Sequence, residues 1–216
     1  FFTRFFGTFI NIVVTLLCAY PLSRKGLRGR GFFTFIFSFT MIFSGGMIPS
    51  YLLIKNLGIM NTVWALLLPG AMSVYNMVVT RTFLQTNIPD DLLEAARMDG
   101  CSDAQFFLKV VLPLSKAIIA VISLYYAVSH WNAYFNAFLY LNKKALYPLQ
   151  IFLRQVLVLG EIDADMADEE MLLQMQNLRD VLKNAIIVVS TAPLLCAYPF
   201  VQKYFVRGVM IGSLKG

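Results

Sequence analysis

Five long stretches of the chain contain no charged residue: 5–23, 31–54, 56–80, 117–142 and 184–202, each 19 to 26 residues long. A surface helix of a soluble bundle shows a charged, solvent-facing side every turn or so, and none of these windows does. At about 1.5 Å of rise per residue they extend roughly 28–39 Å as helices, enough for a hydrocarbon core of about 30 Å. The pattern therefore predicts an all-α integral membrane protein. Its spans are expected near 5–22, 32–54, 62–80, 117–140 and 184–202, a polytopic bundle of five. Gly45, Gly46 and Pro49 interrupt the second window, where a broken helix lines a cavity or absorbs a hinge motion, although both residue types are ordinary in membrane helices.

Composition agrees with the pattern. The 216 residues are 58% hydrophobic and 14% charged, against about 45–50% and about 25% for soluble domains. Lys and Arg near the span ends orient such a chain, the richer side being cytoplasmic. The connection from Ser23 to Arg30 carries four positive charges and no negative one, and the tail 203–216 adds Lys203, Arg207 and Lys215. Both belong inside. The N-terminus, the connection at 55–62 and the segment 141–183 then lie outside, giving eleven basic residues inside and seven outside. The net charge of +6 reflects this asymmetry; no nucleic acid is expected as a partner, since that would need a soluble basic surface.

One segment breaks the membrane pattern. Asp90, Asp91, Glu94, Asp99 and Asp103 fall within fourteen positions, and at about 2.5–3.5 kcal/mol each they are too costly for bilayer depth. Pro89 followed by two aspartates is a helix start, Gly100 a left-handed stop, and Ser102 with Gln105 an S-x-x-Q capping box for a second helix that Pro113 is expected to end. The product is a helix-turn-helix over 86–115, held in water beneath the membrane. Leu92, Leu93, Ala95 and Ala96 give the first helix a mixed apolar side, which serves either a protein partner or packing on the chain's own spans.

Within this segment Glu94-Ala95-Ala96, three residues, Gly100, nine residues, Val110, one residue and Leu112-Pro113 resemble the cytoplasmic EAA loop of bacterial ABC importer permeases, with Val where that family usually has Ile. The turn Asn56-Leu57-Gly58-Ile59-Met60-Asn61-Thr62 and the ending from Gln202 to Gly216 are similar to the maltose-type carbohydrate permeases. The resemblance covers essentially the whole chain. It implies a permease subunit in the bacterial plasma (inner) membrane, importing a sugar or oligosaccharide. Its implied partners are ABC ATPase subunits, a second permease subunit, an extracellular or periplasmic solute-binding protein and membrane lipid. It implies that the docking residues are Glu94, Ala95, Ala96, Asp99, Gly100, Leu112 and Pro113. The family has six spans, so the first is expected to precede Phe1. No phosphate-binding G-x-x-x-x-G-K-[ST] loop occurs; the chain is expected to bind no cofactor and to be no enzyme, ATP being hydrolysed by the partner.

In the window 117–142, Tyr125, Ser129, Asn132 and Asn136 recur at i, i+4, i+7 and i+11 and share one helical face. Trp131 and Tyr134 lie beside them. Hydroxyls, amides and aromatic rings suit a sugar, and equally suit polar contacts between helices with an interfacial aromatic belt. The single histidine, His130, is either a proton relay or a packing residue, and no metal site is expected. The three cysteines Cys18, Cys101 and Cys196 read as packing residues. The acidic segment 160–180 is expected outside, with Met171, Leu172, Met175 and Leu178 at helical spacing. A self-sufficient carrier or channel for a small polar solute is the rival reading; it calls for ionisable groups inside the spans, where only His130 occurs.

Overall fold

The computed structural model describes residues 2–143, Tyr147, Ile151 and positions 181, 184–185, 187–189, 191–192, 195–196, 199 and 202. The expected acidic segment 160–180 and the tail 203–216 lie outside the described residues; the described positions of 184–202 are helical. No strand occurs among the described residues. The helices in order are α1 (Phe2–Ser23), α2 (Arg30–Ile42), α3 (Met47–Asn56), α4 (Trp64–Leu67), α5 (Val74–Asn87), α6 (Asp90–Met98) and α7 (Asp103–Phe106). A π turn (Phe107–Val111), α8 (Leu112–Leu114), α9 (Lys116–Asn132) and α10 (Phe135–Tyr140) follow.

α1 is built inside out relative to a soluble helix. Its four-residue stripe Gly7, Asn11, Thr15 and Ala19 is buried, while Phe5, Phe9, Val13 and Leu17 are exposed. Small residues let backbones approach closely, and polar side chains among them bond across helices, which is how spans associate where lipid is as apolar as leucine. α1 accordingly packs on α5 and α9. Asn11 joins three elements: its Nδ2 donates to Gly70 O in the break before α5, and its Oδ1 lies 2.6 Å from His130 Nε2 on α9. One turn on, Thr15 Oγ1 and Tyr126 OH are 2.6 Å apart, and Ser73 N donates to the same phenol at 3.0 Å. His130 is thus bonded to an amide of a neighbouring helix.

Only one expected span is an unbroken long helix among the described residues, Phe5–Ser23. The second window is two helices, α2 and α3, meeting at 112°. Gly46 sits between them at φ 87°, ψ 177°, a conformation that side-chain-bearing residues avoid. The window 62–80 is not one helix either: α4 ends at Leu67, and α5 starts only after Pro69-Gly70, with Ser73 accepting from Asn76 N as its cap. The fourth window breaks at Ala133, between α9 and α10. Charge and length define a window, but not whether one helix runs through it: α1 continues past Gly7 and Pro21, while Gly46, Pro69-Gly70 and Ala133 interrupt the other three.

The segments assigned to one side of the membrane meet in space. On the side expected outside, Asn61, at φ 58°, donates from its N–H to Tyr140 O at 3.0 Å and accepts from Asn142 N at 2.6 Å. On the side expected inside, the end of α1 meets α6.

A Cβ added at Gly7 would lie 2.7 Å from Leu67 Cδ2 and 2.9 Å from the His130 ring. Leu67 is buried and His130 is held by Asn11, so neither has room to retreat. Gly7→Ala is expected to cost about 1–3 kcal/mol, read as a lower denaturation midpoint in detergent. An unchanged midpoint would contradict the close α1–α9 approach.

Candidate functional site

The site grows from the acidic segment. α6 begins directly after Pro89, with Asp90 and Asp91 in its first turn and Arg97 in its last, as the helix dipole favours. It ends in a paired motif: Gly100 N donates to Arg97 O at 3.0 Å and Cys101 N to Ala96 O at 2.9 Å, with Gly100 at φ 77°. This is the Schellman arrangement, whose left-handed residue is usually glycine. The next helix starts in the expected capping box, Gln105 N donating to Ser102 Oγ at 3.3 Å and Ser102 N to Gln105 Oε1 at 3.2 Å. Across the turn, Arg97 donates to Asp103 from Nε at 3.2 Å and from Nη2 at 3.0 Å. Both partners are exposed, so this pair contributes orientation more than stability.

The exit differs from the sequence expectation that Pro113 ends the second helix. The chain passes through Pro113 and turns only at Ser115, where the helix axis swings 78° into α9. Proline has no N–H and its ring crowds the carbonyl four residues back. The chain accommodates this with the π turn, in which Leu112 N–H reaches back to Phe107 O. Ser115, fully buried, donates from its N–H to Val111 O at 2.9 Å.

The helix pair is packed, not suspended. Ala19 and Leu22 of α1, Met77, Leu84 and Ile88 at α5, Leu93 of α6, and Phe106 and Val111 form one buried apolar cluster. The Tyr20 and Phe107 rings are 5.0 Å apart. Leu93 and the half-buried Ala96 thus face the chain's own core, while Leu92, Glu94, Ala95, Asp99 and Gly100 face outward. Of the two alanines only Ala95 lies on the free side. Leu112 and Pro113 belong to the exit into α9 rather than to this face.

Two apolar residues join the outward surface without having been singled out by motif: Met98, 90% exposed, and Leu108, 61% exposed. The signal for Met98 was available, since it stands one turn after Glu94 on the same helix face. Arg24 also escaped notice, having counted only as one charge of a basic connection. It lies beside α6 in a cleft of about 640 Å³ lined by Tyr20, Lys25, Asp91, Glu94 and Arg97 among others.

On α9, Tyr125, Ser129 and Asn132 are exposed, whereas Ile118, Ile122 and Tyr126 are buried. The polar stripe therefore points away from the chain's own bundle. Asn136 is exposed too, but stands on α10 beyond the Ala133 break, so the four-residue face is not continuous. Trp131 is 8% exposed and packs inward.

Residues 11–211 match the family described as the binding-protein-dependent transport system inner membrane component. Among curated proteins, the polygalacturonan/rhamnogalacturonan transport system permease protein YtcP of Bacillus subtilis is 45% identical over 100% of this chain and 74% of its own length. Protein LplC of the same organism is 44% identical over 97% of this chain and 70% of its own. Among solved structures, a bacterial ABC transporter involved in the import of the acidic polysaccharide alginate superposes with a TM-score of 0.78 at 36% identity, over 94% of this chain and 73% of that one.

A side chain at Gly100 meets nothing within 4 Å, so the barrier to substitution is conformational, about 1–2 kcal/mol for a left-handed residue. Gly100→Val should lower ATP-driven uptake in vesicles while the chain still inserts, and Gly100→Asn, which visits that region readily, should be tolerated. Equal uptake by Gly100→Val and the parent would refute the role of this turn.

Proposed function

Because this chain belongs to the family of binding-protein-dependent transport system inner membrane components, the permeases of ABC importers, we propose that it forms the transmembrane path for an oligosaccharide. In this reading it works beside a second permease subunit, two ATPase subunits and a solute-binding protein, in the bacterial inner membrane. The observation that carries the reading is the outward face of α6. Glu94, Ala95, Met98 and Asp99 present a mixed apolar and acidic surface to water, at the end of a helix pair whose other side is fused into the bundle. Such a face is a handle for a separate motor: closure of the paired ATPases draws the handles together, and the spans swing between inward-open and outward-open packings.

The substrate class rests on the permeases and importer to which the chain is similar, two of whose names carry acidic polysaccharides. The polar stripe Tyr125, Ser129 and Asn132 is the surface on which this chain would touch the solute. Hydroxyl and amide groups at span depth are costly against lipid, and these three point away from the chain's own core. A second permease and the aqueous path between the two supply their surroundings.

The reading is tested in proteoliposomes holding the purified complex, with a labelled oligogalacturonide and the solute-binding protein added. Uptake should require ATP on the ATPase side, and a P-loop ATPase should co-purify with the chain. Uptake by the permease chains alone would favour a self-sufficient carrier. Replacing Ser129 with Ala or Asn132 with Leu should each lower uptake about 2- to 10-fold, the equivalent of one neutral hydrogen bond, without releasing the ATPase. Unchanged uptake in both would remove the stripe from the path.

A further inference from the structure

By covalent connection, α6 and the helix after it hang between α5 and α9 alone. Their side-chain bonds lead to a third element. Arg24 follows α1 directly and is 7% exposed. Its Nη1 donates to Ile88 O at 2.9 Å, the carbonyl just before Pro89, and to Asp90 Oδ1 at 3.2 Å, in the first turn of α6. Bonds return in the other direction: Arg81 Nε on α5 donates to Leu22 O at 3.0 Å, and Gln85 Nε2 to Ser23 O at 3.4 Å. Leu22 and Ser23 are the last residues of α1, whose carbonyls have no partner within the helix. The tail of α1 is therefore capped by α5, and the head of α6 is pinned by the residue after α1. The Tyr20 ring, 5.3 Å from the guanidinium carbon, covers the joint.

We infer that Arg24 is a positioning residue that straps the head of the docking helix to α1, so that a pull on α6 reaches the spans through α1 as well as through its covalent neighbours. The inference rests on the reading that α6 is what the ATPase grips. Stability alone is a poor reason for this arginine, because a buried ion pair rarely gains more than its desolvation costs. Among the described residues its Nε and Nη2 have no hydrogen-bond partner. Geometry is a better reason. One guanidinium nitrogen bridges the carbonyl that ends α5 and the carboxylate that opens α6, and thus fixes the angle at Pro89 relative to α1. From there the route is short, since α1 packs along α9, the helix carrying Tyr125, Ser129 and Asn132.

The test uses the assembled complex of permease, ATPase and binding protein, with Cys18, Cys101 and Cys196 replaced by Ala and a reporter placed by Ser129→Cys. ATP hydrolysis and the ATP-dependent change in maleimide labelling of the reporter are read on the same sample. With Arg24 present, ATP should change the labelling rate. With Arg24→Met, subunit stoichiometry and hydrolysis should persist, while the labelling change per ATP hydrolysed falls about tenfold, within the roughly 5- to 150-fold span of ordinary coupling energies. Arg24→Lys, whose ammonium reaches one acceptor at a time, should fall between. A purely structural arginine would lower the yield of complex and leave the ratio unmoved, and an unmoved ratio overturns the strap. If Arg24→Met does not assemble, Arg24→Lys and Asp90→Asn carry the test, and the parent ratio in both overturns it. Loss of the ATPase from the parent complex, or no ATP-dependent change with Arg24 intact, instead sinks the docking reading itself.

Discussion

A carboxylate carried to the centre of a bilayer costs about 2.5–3.5 kcal/mol, and all twelve of this chain's carboxylates lie within 90–103 and 161–180. The first of these groups is forced into water between two spans, and in water the local signals around it can act. Pro89 opens a helix, Gly100 closes it, and Ser102 with Gln105 opens the next. The chain thereby acquires a rigid hydrophilic projection from an otherwise greasy bundle. The same penalty leaves the spans to associate without ion pairs, which is why α1 relies on Gly7, Asn11, Thr15 and Ala19 for its contacts.

Rigidity at the boundary links fold to function. In the proposed docking role, an ATPase moves the spans only if the element it grips does not simply bend. Here Leu93, Phe106 and Val111 share one apolar cluster with α1 and α5, and Arg24, Arg81 and Gln85 cross the same joint with hydrogen bonds. The outward face of α6 takes no part in that packing. A helix fastened on one side and bare on the other transmits force, whereas a loose loop would absorb it.

Local chemistry was readable wherever one residue type has one strong use. The capping box, the left-handed glycine and the acidic helix start stand where the sequence puts them, because each acts within four residues of itself. The spans were harder to read. A charge-free window says that a stretch can lie in hydrocarbon, but not that it is a single helix, and Gly46, Pro69-Gly70 and Ala133 break three of them. Pro113 misled for a related reason: a proline ends a helix only when the chain cannot widen, and the π turn ahead of it widens. Arg24 was out of reach, since its partners Ile88 and Asp90 are more than sixty residues away and no spacing rule connects them. Trp131 and Asn136 show the limit of a helical wheel, which holds only while the helix does and says nothing of which face the neighbours cover.

The most direct measurement asks which side of the membrane the bare face of α6 occupies and what covers it. Met98, on that face, is 90% exposed. A chain with Met98→Cys as its single cysteine should react with a membrane-impermeant maleimide in inside-out vesicles, remain silent in right-side-out ones, and become protected when the ATPase subunits are added back. Reaction from the outer surface, or the same labelling rate with and without the ATPase, would contradict the account.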